Sequence, residues 1–170
     1  MILKKNLVFL GMMGSGKSSI GYLISKKLNL IFSDIDNLIE KDSKISITEI
    51  FKIKGENYFR NLEEKVTLKA LKGSNKVISL GGGGFINNKI RKEVLMNHFS
   101  FWLDWDELVL LKRIKDSKKR PLAFQATDQE IKQLIKKRAK TYSDAQFKIN
   151  CNNLTKTEIV KKIIEIYESN

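Results

Sequence analysis

The apolar positions of this chain fall in short clusters whose spacing alternates between two periods. Leu7-Val8-Phe9-Leu10 is a continuous apolar run of the length expected for a buried strand, so Asn6 to Leu10 reads as strand one. Ile20, Leu23, Ile24 and Leu28 then recur at helical spacing, which predicts a helix over Lys17 to Leu28. Leu30 to Ser33 is a short second strand, and a helix-rich insertion runs from Asp36 to Leu71. Lys76 to Leu80, Phe99 to Leu103 and Phe147 to Asn150 are strands three to five. Helices are predicted near Asn87 to Met96 and over Asp106 to Lys115, Asp128 to Ser143 and Thr155 to Tyr167. Ser46 with Glu49 and Thr155 with Glu158 fit the capping box, in which the two side chains satisfy free N–H groups at a helix start. Strands alternating with helices imply an α/β fold, a parallel sheet covered by helices on both faces. Ligands of such sheets gather at the carboxyl ends of the strands, so the polar residues just past each strand carry the functional information.

Bulk properties narrow the class. A length of 170 residues suits one domain, 1–170, with its own core, and 42% hydrophobic with 30% charged residues suits a soluble globular protein. There is one Pro, and no internal repeat or low-complexity linker. A single cysteine excludes an internal disulfide, and Cys151 reads as a small buried side chain in a reducing compartment. The N-terminal apolar run is too short to span a membrane and leads into glycines rather than a cleavage site, so a cytoplasmic protein with no membrane partner is expected. The net charge of +13 would suit a nucleic-acid binder. The lysines, however, are spread over nearly every predicted helix, and abundant Lys, Asn and Ile all have AT-rich codons. No nucleic-acid partner is therefore expected, although a basic surface still attracts small anionic substrates.

The most specific signal is Gly11-Met12-Met13-Gly14-Ser15-Gly16-Lys17-Ser18, the pattern Gly-x-x-x-x-Gly-Lys-[Ser/Thr] between a predicted strand and a predicted helix. Glycines let the backbone curl so that successive N–H groups face one anion, and the helix start adds partial positive charge. Lys17 can reach the β- and γ-phosphates of a nucleoside triphosphate, and the Ser18 hydroxyl can ligate Mg²⁺.

Other strand ends supply further chemistry. Asp34 and Asp36 follow strand two, and alternation along an extended segment would point both the same way. One carboxylate could serve Mg²⁺ and the other take the proton of an acceptor hydroxyl; equally, Asp36 could cap the next helix. Asp104, at the end of strand four, is a rival metal residue that capping would also explain. Four consecutive glycines, Gly81 to Gly84, follow strand three, where bare backbone can approach a ligand closely. Arg60 follows Phe59 on a helix with a Phe59, Leu62 and Val66 stripe, and could simply pair with Glu63 or Glu64. Arg138 falls on the apolar stripe of Ile131, Leu134, Ile135 and Tyr142, where a charge needs a partner: a carboxylate or phosphate of a ligand, or a structural salt bridge. The basic loop Asp116 to Thr127, with Lys118-Lys119-Arg120-Pro121, is the candidate lid, and its arginine could stabilise a transferred phosphoryl group. His98 is placed at a helix end without a role.

Taken in order, Gly-x-x-Gly-Ser-Gly-Lys-Ser, Asp34-x-Asp36, Gly55-Glu56-x-x-Phe59-Arg60, Gly81-Gly82-Gly83, Arg120-Pro121-Leu122 and Arg138 with Tyr142 resemble the shikimate kinases over essentially the whole length. These are small members of the nucleoside-monophosphate-kinase-like P-loop group. The resemblance implies a three-layer α/β/α P-loop fold with a five-stranded parallel sheet in the order 2-3-1-4-5, a helical substrate-binding insertion at about 36–71 and a lid at about 116–127. It implies ATP-dependent phosphorylation of the 3-hydroxyl of shikimate, on the way to chorismate and aromatic amino acids, by a monomer needing Mg²⁺. Gly14, Ser15, Gly16, Lys17, Ser18 and Ser19 would hold the phosphates, with Ser18 and Asp34 serving the metal, Asp34 through water. Asp36 would bind shikimate hydroxyls and act as base. Arg60 and Arg138 would clamp the shikimate carboxylate beside Gly82 and Gly83. Arg120 would reach ATP from the lid, and Arg113 would stack near adenine. Gly84 and the loop Cys151-Asn152-Asn153 depart from the family pattern. The rivals are a gluconate or nucleotide kinase of the same group, and a basic nucleic-acid-binding ATPase.

Overall fold

The computed structural model describes residues 5–116 and 126–170. In chain order the elements are β1 (Leu7–Leu10), α1 (Lys17–Leu28), β2 (Ile31–Asp34), α2 (Ile35–Ser43), α3 (Ile47–Leu71), β3 (Lys76–Ser79), a 3-10 turn (Gly84–Ile86), α4 (Asn88–Asn97), β4 (Phe99–Asp104), α5 (Glu107–Lys115), α6 (Asp128–Tyr142), β5 (Phe147–Asn150) and α7 (Lys156–Glu168). The five strands form one sheet in the order β2-β3-β1-β4-β5, and every neighbouring pair is parallel.

β1 lies at the centre, and all four of its residues are buried because both of its faces are covered. Alternation then sorts its side chains between two apolar layers. Leu7 and Phe9 join Ile20, Ile24, Ile159 and Ile163, from α1 and α7. Val8 and Leu10 join Ile39, Val66, Ile90, Leu111 and Ile135, from α2 to α6. The sheet is therefore the middle of three layers. The polar residues Asn6 and His98, just before β1 and β4, lie at the opposite end of these strands from the phosphate loop, tied to each other at 3.3 Å and to the carbonyls of Leu71 and Gly73 through Asn6.

Two local features correct the sequence reading. Asp34 and Asp36 do not share an extended segment: β2 ends at Asp34 and α2 begins at Ile35. The Asp34 carboxylate accepts the Asn37 amide at 3.1 Å, which caps α2 and turns the chain helical at once, so Asp36 stands on the first helical turn. In addition, the insertion helix is broken at Gly55, whose φ of 79° and ψ of 172° lie outside helical space. The two expected capping boxes are present, and a third, Thr127 with Glu130, starts α6. Side chains cap α2, α3, α4, α6 and α7, whereas α5, which starts after Asp106, and α1, which starts after Gly16 with φ 87°, have no side-chain cap; of these two, α1 opens from the glycine loop. The first amides of α1 can therefore take an anion held by that loop.

Candidate active site

The loop between β1 and α1 forms the floor of a cavity of about 850 Å³ whose lining includes Gly14, Gly16, Lys17, Ser18 and Ser19 on one side and Asp36, Arg60, Glu63, Gly82, Gly83 and Arg138 on the other. Residues from five separate parts of the chain therefore face one space.

On the phosphate side the geometry is local. Lys17 is 8% exposed, and its ammonium donates to the carbonyls of Gly11 at 2.9 Å and Met12 at 3.0 Å. The Ser18 hydroxyl donates to Asp34 Oδ2, the oxygen that does not cap α2. Asp104, the rival acid, instead pairs with Lys148 at 3.1 Å on the β5 side. The structure brings Asp34, not Asp104, to the loop hydroxyl. Among the described residues no cluster of three or more His, Cys, Asp or Glu could hold a metal alone. A hydroxyl beside one carboxylate suits Mg²⁺, which keeps several waters and takes its other ligands from substrate phosphates.

Arg113 lies beside this loop. Its guanidinium stacks on the Trp105 ring at 3.9 Å from the centroid, and Nη1 donates to the Gly14 carbonyl at 3.3 Å. Trp105 Nε1 in turn donates to the Ser15 carbonyl at 2.9 Å. The Cys151-Asn153 segment is tied back by Asn152 Oδ1, which accepts the Asp106 amide at 2.9 Å. Arg120 and its neighbours Lys118, Lys119, Pro121 and Leu122 lie outside the described residues.

The other side is assembled from distant elements. Asp36 is partly buried, and burial followed by the nearby Asp34 charge raises its carboxyl to about 6, against the pull of Lys17. Arg60, half-buried, pairs with Glu63 at 2.7 Å and with Glu56 at 3.2 Å. Glu63 is 2% exposed, and its second oxygen, Oε1, has no hydrogen-bond partner. The glycine run is what allows this crowding. A Cβ on Gly81 would stand 2.6 Å from Glu63 Oε1 and 2.8 Å from Asp36 Oδ1, and one on Gly83 would collide with the Arg60 guanidinium. Arg138 is 8% exposed and touches Met12 Sδ at 3.8 Å. Among the described residues no carboxylate lies within 4.0 Å of it. A buried guanidinium in that state is costly unless an anionic ligand joins it. Tyr142, one turn further along α6, donates its hydroxyl to the Gly82 carbonyl, and burial pushes its pKa up to about 12, which keeps it a donor.

Sequence reasoning treated Glu63 only as a surface partner of Arg60. The signal that exposes it was available: Glu63 follows Phe59 by four and precedes Val66 by three, so it shares their inward stripe. The same test had singled out Arg138. Trp105 was passed over because a lone aromatic after a strand has no spacing to mark it.

The family model described as shikimate kinase matches residues 13–168. The chain belongs to the shikimate kinase family. A shikimate kinase of Thermodesulfovibrio yellowstonii is 38% identical over 165 residues, covering 96% of this chain and 95% of that protein. The structure of a shikimate kinase from Acinetobacter baumannii in complex with shikimate superposes with a TM-score of 0.92 at 28% identity, covering 98% of this chain and 94% of that one. The crystal structure of shikimate kinase from Aquifex aeolicus gives 0.86 at 38% identity, with 97% of each chain covered. The strand order implied by the family resemblance is the order observed.

Proposed function

We propose that this chain transfers the γ-phosphoryl group of ATP to the 3-hydroxyl of shikimate, giving shikimate 3-phosphate and ADP on the route to chorismate and the aromatic amino acids. The observation that carries the reading is the shared cavity. A phosphate loop opens on a space that also holds Arg138, buried with no carboxylate partner, and Asp36, whose pKa near 6 suits a base at neutral pH. A small hydroxylated carboxylic acid complements both groups.

In this reading the uncapped start of α1 and Lys17 hold the triphosphate, with Gly14 to Ser19 wrapped around it. Ser18 and Asp34 would hold Mg²⁺ between them, and the cation would supply neutralisation of charge on the β- and γ-phosphates. Arg138 and Arg60 bind the shikimate carboxylate, and Glu63 and Glu56 fix the Arg60 fork. Gly82 and Gly83 lie beside the substrate, and their bare backbone lets the Arg138 and Arg60 guanidiniums come close. Asp36 orients the acceptor hydroxyl and takes its proton as the phosphoryl group arrives. Arg113 serves the adenine side. The role of Arg120 as a lid residue within about 116–127 rests on the family resemblance. We read residues 1–170 as one catalytic domain with a substrate-binding insertion at about 36–71. It acts as a monomer in the cytoplasm, without a nucleic-acid or membrane partner. Among the described residues no helix is long and apolar enough to cross a membrane.

The test is ADP release from ATP with shikimate, gluconate and nucleoside monophosphates as separate acceptors. Turnover is expected with shikimate. Turnover with a nucleotide or gluconate and none with shikimate overturns the reading. Nucleic-acid binding that falls steeply with salt, without transfer to any small acceptor, would return the +13 charge to a nucleic-acid role.

A further inference from the structure

The indole of Trp105 joins two parts of the nucleotide site that have no covalent reason to move together. It directly follows β4 and packs against the apolar layers on both faces of the sheet, so its position is fixed by the core. From there its Nε1 holds the Ser15 carbonyl of the phosphate loop at 2.9 Å, and its ring carries the Arg113 guanidinium at 3.9 Å. Arg113 also donates to the Gly14 carbonyl, so loop, indole and guanidinium close a ring of contacts. Arg113 is an exposed residue, and among the described residues no carboxylate lies within 4.0 Å of it. The indole and one carbonyl therefore orient it. A guanidinium is planar and stacks through its faces. One face is taken by the indole, and the side chain is otherwise exposed, so an aromatic base can reach its other face.

We propose that Trp105 is a positioning residue for the nucleotide: it locks Arg113 flat against the phosphate loop, so that the outer face of the guanidinium is a ready platform for the purine ring of ATP or ADP. The idea rests on the proposed use of the loop for ATP. Its physical content is preorganisation. A free arginine loses rotamer entropy when it stacks on a ligand, and one already held by an indole loses less.

The experiment uses Trp102→Phe as background, which leaves Trp105 the only indole of a chain with two. Its fluorescence is followed on adding ADP or, separately, inorganic pyrophosphate, with no acceptor present. ADP is expected to change the emission saturably, and pyrophosphate to change it far less. Trp105→Leu should weaken ADP binding about tenfold, within the range of a cation–π contact and its ordering effect, and pyrophosphate binding less than threefold. In turnover the KM for ATP should rise while kcat and the shikimate KM stay within about twofold. Because Trp105 packs in the core, Arg113→Gln provides a second arm that leaves the indole in place. It should abolish the difference between ADP and pyrophosphate in the Trp105 emission. Equal losses for ADP and pyrophosphate in Trp105→Leu, or an ADP signal unchanged by Arg113→Gln, would reduce Trp105 to packing. Base-dependent ADP binding without shikimate turnover would sink the proposed reaction and leave this inference standing. Shikimate turnover without base-dependent effects does the reverse.

Discussion

In the phosphate loop the charged and hydroxyl groups have partners close by. Lys17 sits on carbonyls five and six residues earlier, and Ser18 meets Asp34 at the next strand end. Across the same cavity the acceptor side holds its charge under tension. Arg138 has a methionine sulfur where a carboxylate is wanted, Glu63 keeps one buried oxygen without a donor, and burial drives Asp36 toward its neutral form. The first half has its polar groups partnered as it stands, whereas the second would suit a molecule that brings an anion and hydroxyls, as proposed above. A protein that leaves buried charges unsatisfied at one place gives up stability there, and the place marks where a ligand supplies the missing partner.

The largest expected effect of breaking this asymmetry is at Asp36. Replacing it with Asn should lower kcat by ~10²–10⁴-fold, the usual worth of a general base, while ADP still binds. The same change should make the protein more stable at neutral pH. Because the folded pKa, about 6, lies above the ordinary 3.8, the carboxyl favours the fold below pH ~4, and that contribution is lost as pH rises through ~6. At about 1.4 kcal/mol per pH unit, the charged form opposes folding by up to roughly 3 kcal/mol above that range. Wild-type kcat/KM should therefore rise with pH through about 6 as unfolding stability falls, and Asp36→Asn should flatten both profiles in that window. A normal kcat, or an ADP affinity that falls in step with kcat, would show that the two halves are not separable.

Arg138 should show the next largest effect. Arg138→Met should raise the shikimate KM by ~30-fold or more, since truncating one partner of a buried charge pair costs roughly 2–5 kcal/mol. Without ligand the variant should be no less stable than wild type, because an apolar side chain of similar reach in place of an unpaired buried charge is neutral or favourable. A large drop in Tm with an unchanged KM would make Arg138 a structural residue.

On the phosphate side, Asp34→Asn tests whether local satisfaction means a smaller role. By the family resemblance Asp34 acts on the cation through water, and losing such an outer partner typically costs about 10–100-fold in metal affinity. Activity should fall at low Mg²⁺ and recover as Mg²⁺ is raised, with the shikimate KM unchanged. Failure to recover at high Mg²⁺ would place Asp34 in direct contact with the reaction.

The same asymmetry explains what could be read from the chain before its structure. The phosphate loop is eight consecutive residues between a strand and a helix, so its chemistry is written locally. The succession of strands and helices sufficed for the layers and the sheet type, because apolar runs and periodicity report burial directly. The acceptor side depends on side chains from α2, α3, the glycine run and α6 converging, and no local pattern records convergence. Arg138 was visible because a charge on an apolar stripe is a conflict within one helix, whereas Glu63 was missed since its arginine partner, three residues away, gave it an ordinary explanation. The Asp34 and Asp36 pair was found by an argument that the structure removes: a helix cap, not strand alternation, sets their orientation.

The smallest effect separates the acceptor side from the rest of the fold by a matched pair of helix caps. Thr127 and Thr155 make the same capping box, with Glu130 and Glu158, at the starts of α6 and α7. α6 carries Arg138 into the cavity and Tyr142 to the Gly82 carbonyl, whereas α7 packs behind the sheet. Thr127→Ala and Thr155→Ala should each cost about 1 kcal/mol of stability, the usual loss for such a cap, read as similar shifts in urea midpoint. Arg138 lies three turns from Thr127, beyond the fraying that a lost cap causes, and Tyr142 is fastened to Gly82 at the far end of the helix. Thr127→Ala should therefore leave the shikimate KM as it is in Thr155→Ala. A KM that rises in Thr127→Ala alone would mean that Arg138 is held from the start of its helix rather than by the packing around it, and the acceptor side would then depend on backbone order that its own contacts do not supply.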